Sequence, residues 1–243
     1  MSYYRTILLG TLLSITSITW AQTHISQTLI WYGASIKKEF KEGQSLALKI
    51  ERRDFISPAR QQQLVIPDLV YSKKLKSNFK LDVGLWVFTI YQPELEGVPI
   101  GVKQHEWRPY VTVHYKKNLA KGDLDFYVMT EYRGFNAPTA DNRFTEAFDT
   151  YALRERLLVR YNLPLCTNLK MRFAEELALN VATNRALKTF DHNRLMSDFI
   201  YTIPIKERKI NLRAGYLHWY QPTAVADVFF SRHILTTGID VVL

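Results

Sequence analysis

The stretch Leu124-Asp125-Phe126-Tyr127-Val128-Met129-Thr130-Glu131-Tyr132-Arg133 decides the fold. Leu124, Phe126, Val128, Thr130 and Tyr132 fall on one face, and Asp125, Tyr127, Met129, Glu131 and Arg133 on the other. Strict alternation over this length is the signature of a strand with two unlike faces, not of a helix. The pattern recurs. Phe79, Leu81, Val83, Leu85 and Val87 oppose Lys80, Asp82 and Gly84, and Trp107 to Tyr115 alternates with Glu106 to His114. Ile210, Leu212, Ala214 and Tyr216 oppose Asn211, Arg213 and Gly215. Alternating runs cover 27–37, 44–53, 62–73, 78–90, 103–116, 122–133, 150–161, 168–181, 191–203, 209–221 and 227–242.

Strands of soluble domains usually have about 5–6 residues, whereas a strand that crosses a bilayer needs roughly 9–11. With no water to satisfy the backbone, strands cross only as a closed barrel. The sequence therefore predicts an all-β protein, a closed antiparallel transmembrane β-barrel of about 10–12 strands. Eleven runs are visible, but single-chain bacterial barrels have even counts. The expectation is therefore ten or twelve, with 27–37 less than a full crossing or one strand unseen. Links alternate between short (38–43, 74–77, 117–121, 162–167, 204–208) and mostly longer (54–61, 91–102, 134–149, 182–190, 222–226), as turns on one side and loops on the other require. Trp31, Tyr71, Tyr91, Trp107, Tyr115, Tyr132, Tyr151, Tyr161, Tyr201 and Trp219 lie near strand ends, where interfacial aromatic girdles belong.

The N-terminus carries Arg5, a short apolar run from Ile7 to Ile18, and Thr19-Trp20-Ala21 before Gln22. That order reads as a cleaved signal peptide over 1–21, exported ahead of a single barrel domain over 22–243. The apolar run is too short to span a bilayer, which takes about 17–25 helical residues. The expected location is the outer membrane. Expected partners are outer-membrane lipids and, during biogenesis, the barrel-insertion machinery, with a monomer favoured. A lone Cys166 rules out an intramolecular disulfide framework. Net charge is +9 with 14 Tyr, 13 Phe and 5 Trp, a balance compatible with nucleic acid, but export argues against that partner.

On the residues Trp31, Glu51-Arg52-Arg53, Glu106-Trp107-Arg108-Pro109-Tyr110, Glu131-Tyr132-Arg133, Arg154-Glu155-Arg156, Arg160-Tyr161, His192-Asn193-Arg194-Leu195, Ala214-Gly215-Tyr216-Leu217 and His233, the chain resembles the domain of unknown function 2490 family. Trp31 is placed before the first strand. The resemblance implies a bacterial outer-membrane barrel and no particular activity. Two features depart from the pattern: the chain ends in Leu243, not an aromatic residue, and Glu175-Glu176 interrupts a strand.

The polar faces predict a narrow lumen lined by Glu51, Arg53, Glu106, Arg108, Glu131, Arg133, Arg154, Arg156, Arg160, Arg172, Glu176, Arg194, Asp198 and Arg213, with Lys49 beside them. Planar guanidinium groups pair bidentately with carboxylates, and buried charges must be paired. The expected role is thus structural or passive small-solute passage, through a network that fills the lumen or a basic constriction that selects anions. An outer-membrane lipid-acting enzyme and a soluble periplasmic β-barrel or β-sandwich binding protein are the alternatives. No catalytic set, cofactor site or metal site is expected. The six histidines are scattered, Asp191 and His192 as strand neighbours should face opposite sides, and His114 is placed inward near Glu131. Neither a nucleophile elbow nor a zinc-binding helix motif is present.

Overall fold

In the computed structural model the described residues are 23–56, 60–91, 103–136, 147–184, 187–223 and 225–243. The segment 1–21, expected to be a signal peptide, and the greater part of the loop between 136 and 149 lie outside them. Eleven strands follow in order: β1 (Thr23–Glu39), β2 (Gln44–Phe55), β3 (Arg60–Lys74), β4 (Phe79–Tyr91), β5 (Lys103–Asn118), β6 (Asp123–Phe135), β7 (Thr150–Cys166), β8 (Leu169–Thr183), β9 (Phe190–Ile205), β10 (Arg208–Pro222) and β11 (Val228–Val242). Each alternating run of the sequence coincides with one of them, although β1 begins four residues earlier than 27 and β7 continues to Cys166. Trp31 therefore sits inside β1, not ahead of it. β8 also runs unbroken through Glu175-Glu176, because the two carboxylates turn to opposite faces: Glu176 inward, and Glu175 outward to Asn193 Nδ2 at 3.1 Å.

Every strand pairs antiparallel with the next, and β1 closes the ring by pairing in parallel with β11, from Thr23↔Val228 to Lys37↔Val242. Among the described residues the closed ring has eleven strands, which falls within the expected 10–12 but corrects the even-number expectation. β1 pairs over 15 residues with β11, so it is a complete stave and cannot be discounted. An odd ring necessarily brings two strands of like direction together, and the evenly spaced, slanted bonds of a parallel ladder accommodate them. Closure leaves no free sheet edge. Ala34 and Ile239 are register partners on the outer face, and parallel neighbours lie within disulfide reach. In a Cys166→Ser background, an Ala34→Cys/Ile239→Cys pair should cross-link on oxidation and shift gel mobility. Failure to cross-link while Ala34→Cys joins a cysteine in another strand would refute the closure.

Turns at one rim are tight. Phe40 N–H donates to the Gln44 carbonyl at 2.9 Å around a single 3-10 turn at Lys41–Gly43. Leu119 N–H donates to the Gly122 carbonyl at 3.0 Å. Gly122 has φ +84°, and a Cβ there would run into the Asn162 carbonyl, so that turn needs glycine. Of the links at the opposite rim, those after Tyr91 and Phe135 are the longest, while those after Phe55 and Pro222 are as short as the turns or nearly so.

The outward faces are apolar. Leu46, Leu48 and Ile50 on β2, Val111 and Val113 on β5, and Phe126 and Val128 on β6 are all exposed. No helix among the described residues is long and apolar enough to cross a membrane. The inward faces hold the charges, and Gly84 on β4 makes room there for the ring of its partner Tyr110, which a Cβ would strike.

Candidate functional site

The loop-side half of the lumen contains a continuous chain of ion pairs. Arg108 holds Glu106 through two bonds, Nε at 2.5 Å and Nη2 at 2.7 Å. Arg133 on β6 reaches the same carboxylate with Nε at 2.6 Å and extends Nη1 to Asp191 on β9 at 3.3 Å. Asp191 also accepts from Arg154 Nη1 at 2.5 Å, and Arg154 Nε bonds Glu131. Arg156 continues the chain, with Nη2 2.5 Å from Glu176, which in turn accepts from Arg194 at 3.2 Å. His192 is clamped at both ring nitrogens, Nδ1 at 2.5 Å from Asp191 and Nε2 at 2.8 Å from Glu176. Since a neutral imidazole has one N–H, holding both contacts needs a second proton within the cluster. Glu106, Glu131 and His192 are 0% exposed.

Aromatic side chains pack against the arginines of this cross-section. Arg53 lies 3.9 Å over the Trp31 ring, Arg108 3.8 Å over Phe88, and Arg156 5.2 Å over Trp86. Arg194 and Arg232 cover Trp219 at 4.3 and 4.6 Å, and Trp31 meets Trp219 edge-on at 5.7 Å. Such cation–π contacts strengthen when water is excluded. Leu29, Phe55, Leu217 and Ile234 join these two tryptophans in one apolar cluster beside the β1–β11 seam. Contacts between non-adjacent strands, such as Arg133–Asp191 (β6–β9), Arg156–Trp86 (β7–β4) and Trp31–Trp219 (β1–β10), show side chains meeting across the lumen.

The turn-side half is wetter. Arg172 pairs with Asp198 at 2.5 Å, Arg213 with Asp240 at 2.7 Å, and Lys49 with Asp68 at 3.3 Å. The Arg213 and Asp240 side chains retain 28% and 25% of their exposure. Asp82 accepts from Lys80 at 2.9 Å and contacts His114 at 2.7 Å. Arg160 lies 4.5 Å over Tyr127.

The predicted lumen residues thus divide into two groups. Glu106, Arg108, Glu131, Arg133, Arg154, Arg156, Glu176 and Arg194 meet in the dry belt, with Arg53 stacked beside it and bonded to Glu51 at 2.6 Å. Arg160, Arg172, Asp198 and Arg213 lie nearer the turns. Three expectations change. Asp191 and His192 both face inward, because a bulge between Ala178 and Leu179 spends one residue without a partner and resets the alternation. His114 pairs with Tyr127 and bonds Asp82, while Glu131 sits opposite Tyr110. Trp31 and Trp219 are 5% exposed inside the barrel and do not belong to a girdle. Sequence reasoning also missed Arg232, which bonds the Gln27 and Gln221 amides at 2.7 and 2.6 Å, although its alternation with His233 was readable. Among the described residues no group of three or more His, Cys, Asp or Glu could hold a metal ion.

The family described as protein of unknown function (DUF2490) matches residues 28–229. The chain belongs to this family. The matched span takes in every member of the ion-pair chain, from Glu106 to Arg194, so that chain lies within the DUF2490 region. Among solved structures the DUF2490 barrel is similar to one titled NanC porin structure, at 10% identity, covering 77% of this chain and 85% of that one, with a TM-score of 0.45. No curated protein matches the chain.

Proposed function

We propose that this DUF2490 protein is an outer-membrane barrel with a structural role, whose charged belt closes the lumen. The observation that carries this is the dry cross-section, where Glu106, Glu131 and His192 have no exposed surface and guanidinium groups bridge non-adjacent strands. Side chains can fill barrels of about eight strands, and open aqueous channels are typical at about 16–18, so eleven strands with long arginines sit nearer the filled limit. The outward Leu, Ile, Val and Phe faces favour lipid as the surrounding medium over water and argue against a soluble periplasmic barrel. Lipids are then the resident partners of a monomer, and the barrel-insertion machinery its partner during biogenesis.

Two measurements test this. The folded protein should fractionate with the outer membrane and show a heat-modifiable gel mobility; a soluble protein without that shift would defeat the membrane reading. In planar bilayers the wild type should give no stepwise current, while Arg156→Ala/Glu176→Ala, which removes the link between β7 and β8 at 2.5 Å, should admit ions. Discrete wild-type channels would overturn the closed-lumen reading.

A further inference from the structure

With the lumen filled, chemistry on small molecules has little room there, and the outward face of β8–β11 differs from the apolar face of β2–β6. Ser231 on β11 lies with its Oγ 2.9 Å from His218 Nε2 on β10. The two are diagonal neighbours across the hairpin, since His218 is in register with His233 and Ser231 with Tyr220. Beside them Tyr216 OH and His233 Nδ1 are 2.6 Å apart. The His218 and His233 rings are 5.3 Å apart. Both histidines are on the outer face, alternating with the inward Leu217, Trp219, Arg232 and Ile234. A groove of about 520 Å³ opens beside this pair on the outer surface, with His218 among the residues that line it. Val159, Tyr161, Phe173, Leu195 and Tyr216 line it as well, together with the Glu175 carboxylate.

The geometry points to a lipid acyl-ester hydrolase site on the outward surface, with Ser231 as nucleophile, His218 as its base, and the groove as the seat of an acyl chain. This activity presupposes the membrane placement proposed above. A mutual hydrogen bond alone would quiet two polar groups facing hydrocarbon. The groove, which the base helps to line, adds a place for a substrate. Depth agrees as well. His218 is four residues from the end of β10 at Pro222, and Ser231 three from the start of β11 at Val228. At about 3.3 Å per residue and a tilt of about 40°, the pair lies roughly 10 Å below the loop-side rim. The interfacial layer is about 5–8 Å thick on each side, so the pair meets the level at which acyl esters join the headgroup region.

The reaction balances with water as co-reactant. Ser231 Oγ attacks the ester carbonyl as its proton passes to His218 Nε2, and the carbonyl π pair moves onto oxygen. Collapse of that tetrahedral centre breaks the ester C–O bond, and the departing alkoxide takes the proton from His218 to leave as a lyso-lipid alcohol. Water then attacks the acyl-serine carbonyl as His218 again accepts the proton; collapse breaks the acyl C–Oγ bond, His218 returns the proton to Ser231 Oγ, and a fatty acid leaves. Among the described residues no group bonds His218 Nδ1, so the unit is a dyad.

The test uses the full folded protein in two lipid arms, vesicles of phosphatidylethanolamine with phosphatidylglycerol and purified lipopolysaccharide. Fatty-acid release is read by mass spectrometry, and a fluorophosphonate probe reports an activated serine. Wild type should release fatty acid in one arm, which identifies the lipid source, and should carry the probe on the peptide containing Ser231. Ser231→Ala should abolish both signals, and His218→Asn should slow release by about 100-fold or more. Thr130→Ala, on the outer face of β6, should change neither. A heat-modifiable wild type that neither releases fatty acid in either arm nor takes the probe overturns the hydrolase alone. Retention of release by Ser231→Ala does the same. A wild type that never forms the heat-modifiable band overturns the membrane barrel together with the hydrolase.

Discussion

Replacing Glu131 by alanine is expected to destabilise the barrel by about 3–5 kcal/mol, enough to shift its urea midpoint visibly in tryptophan fluorescence. The carboxylate is 0% exposed and bonds Arg154, with Arg156 3.5 Å from its second oxygen. Its removal leaves two buried guanidinium groups short of an acceptor, and a buried charge without its partner loses solvation that nothing replaces. Asp191 would keep Arg154 and Glu176 would keep Arg156, which places the loss within that range and not above it. Asp240→Ala supplies the contrast. It also removes an arginine partner, but the Arg213–Asp240 pair keeps about a quarter of its exposure and water can take over. The expected cost there is about 0–1 kcal/mol. Equal losses for the two variants would contradict the division of the lumen into a dry belt and a wet half.

Val128→Arg should cost about 2–4 kcal/mol in lipid vesicles, because a charge at mid-depth on the outer face has no aqueous exit. Val128 is 50% exposed and stands near the middle of β6, between Asp123 and Phe135. Leu124→Arg on the same face, one residue from the start of the strand, should cost about 0–1 kcal/mol, since its guanidinium can reach the interface. Folding titrations of the two variants in the same vesicles measure the difference. If Val128→Arg is as stable as wild type, the outer face of β6 does not contact hydrocarbon.

The alternation in β4, β5, β6 and β10 made the two faces legible because period two requires nothing beyond the chain itself. Inward arginines and glutamates followed by the same rule. What the rule could not carry were features set by pairing between strands. The bulge opposite Ala178 and Leu179 turned Asp191 inward, and no local residue pattern announced it. The Asn118–Asp123 turn fixes His114 against Tyr127 and not Glu131. Trp31 and Trp219 were drawn to a girdle because tryptophan suits either an interface or a packed interior, and curvature of the ring decides which. Arg133 meets Asp191, 58 residues away, for the same reason. The Ser231–His218 contact has no signature along the chain, because the two residues are neighbours only across a hairpin.

The parallel seam also fixes compartments. Strands β2 to β11 form five hairpins whose loops share one rim, and β1 crosses once, alone. Thr23 therefore stands at the loop rim beside Val228, while Val242 stands at the turn rim beside Lys37. In a membrane, an epitope fused just ahead of Thr23 and one fused just after Leu243 would report from opposite sides. Antibody or protease applied to intact cells would then reach one tag and spare the other, making the seam a display device with a built-in internal control.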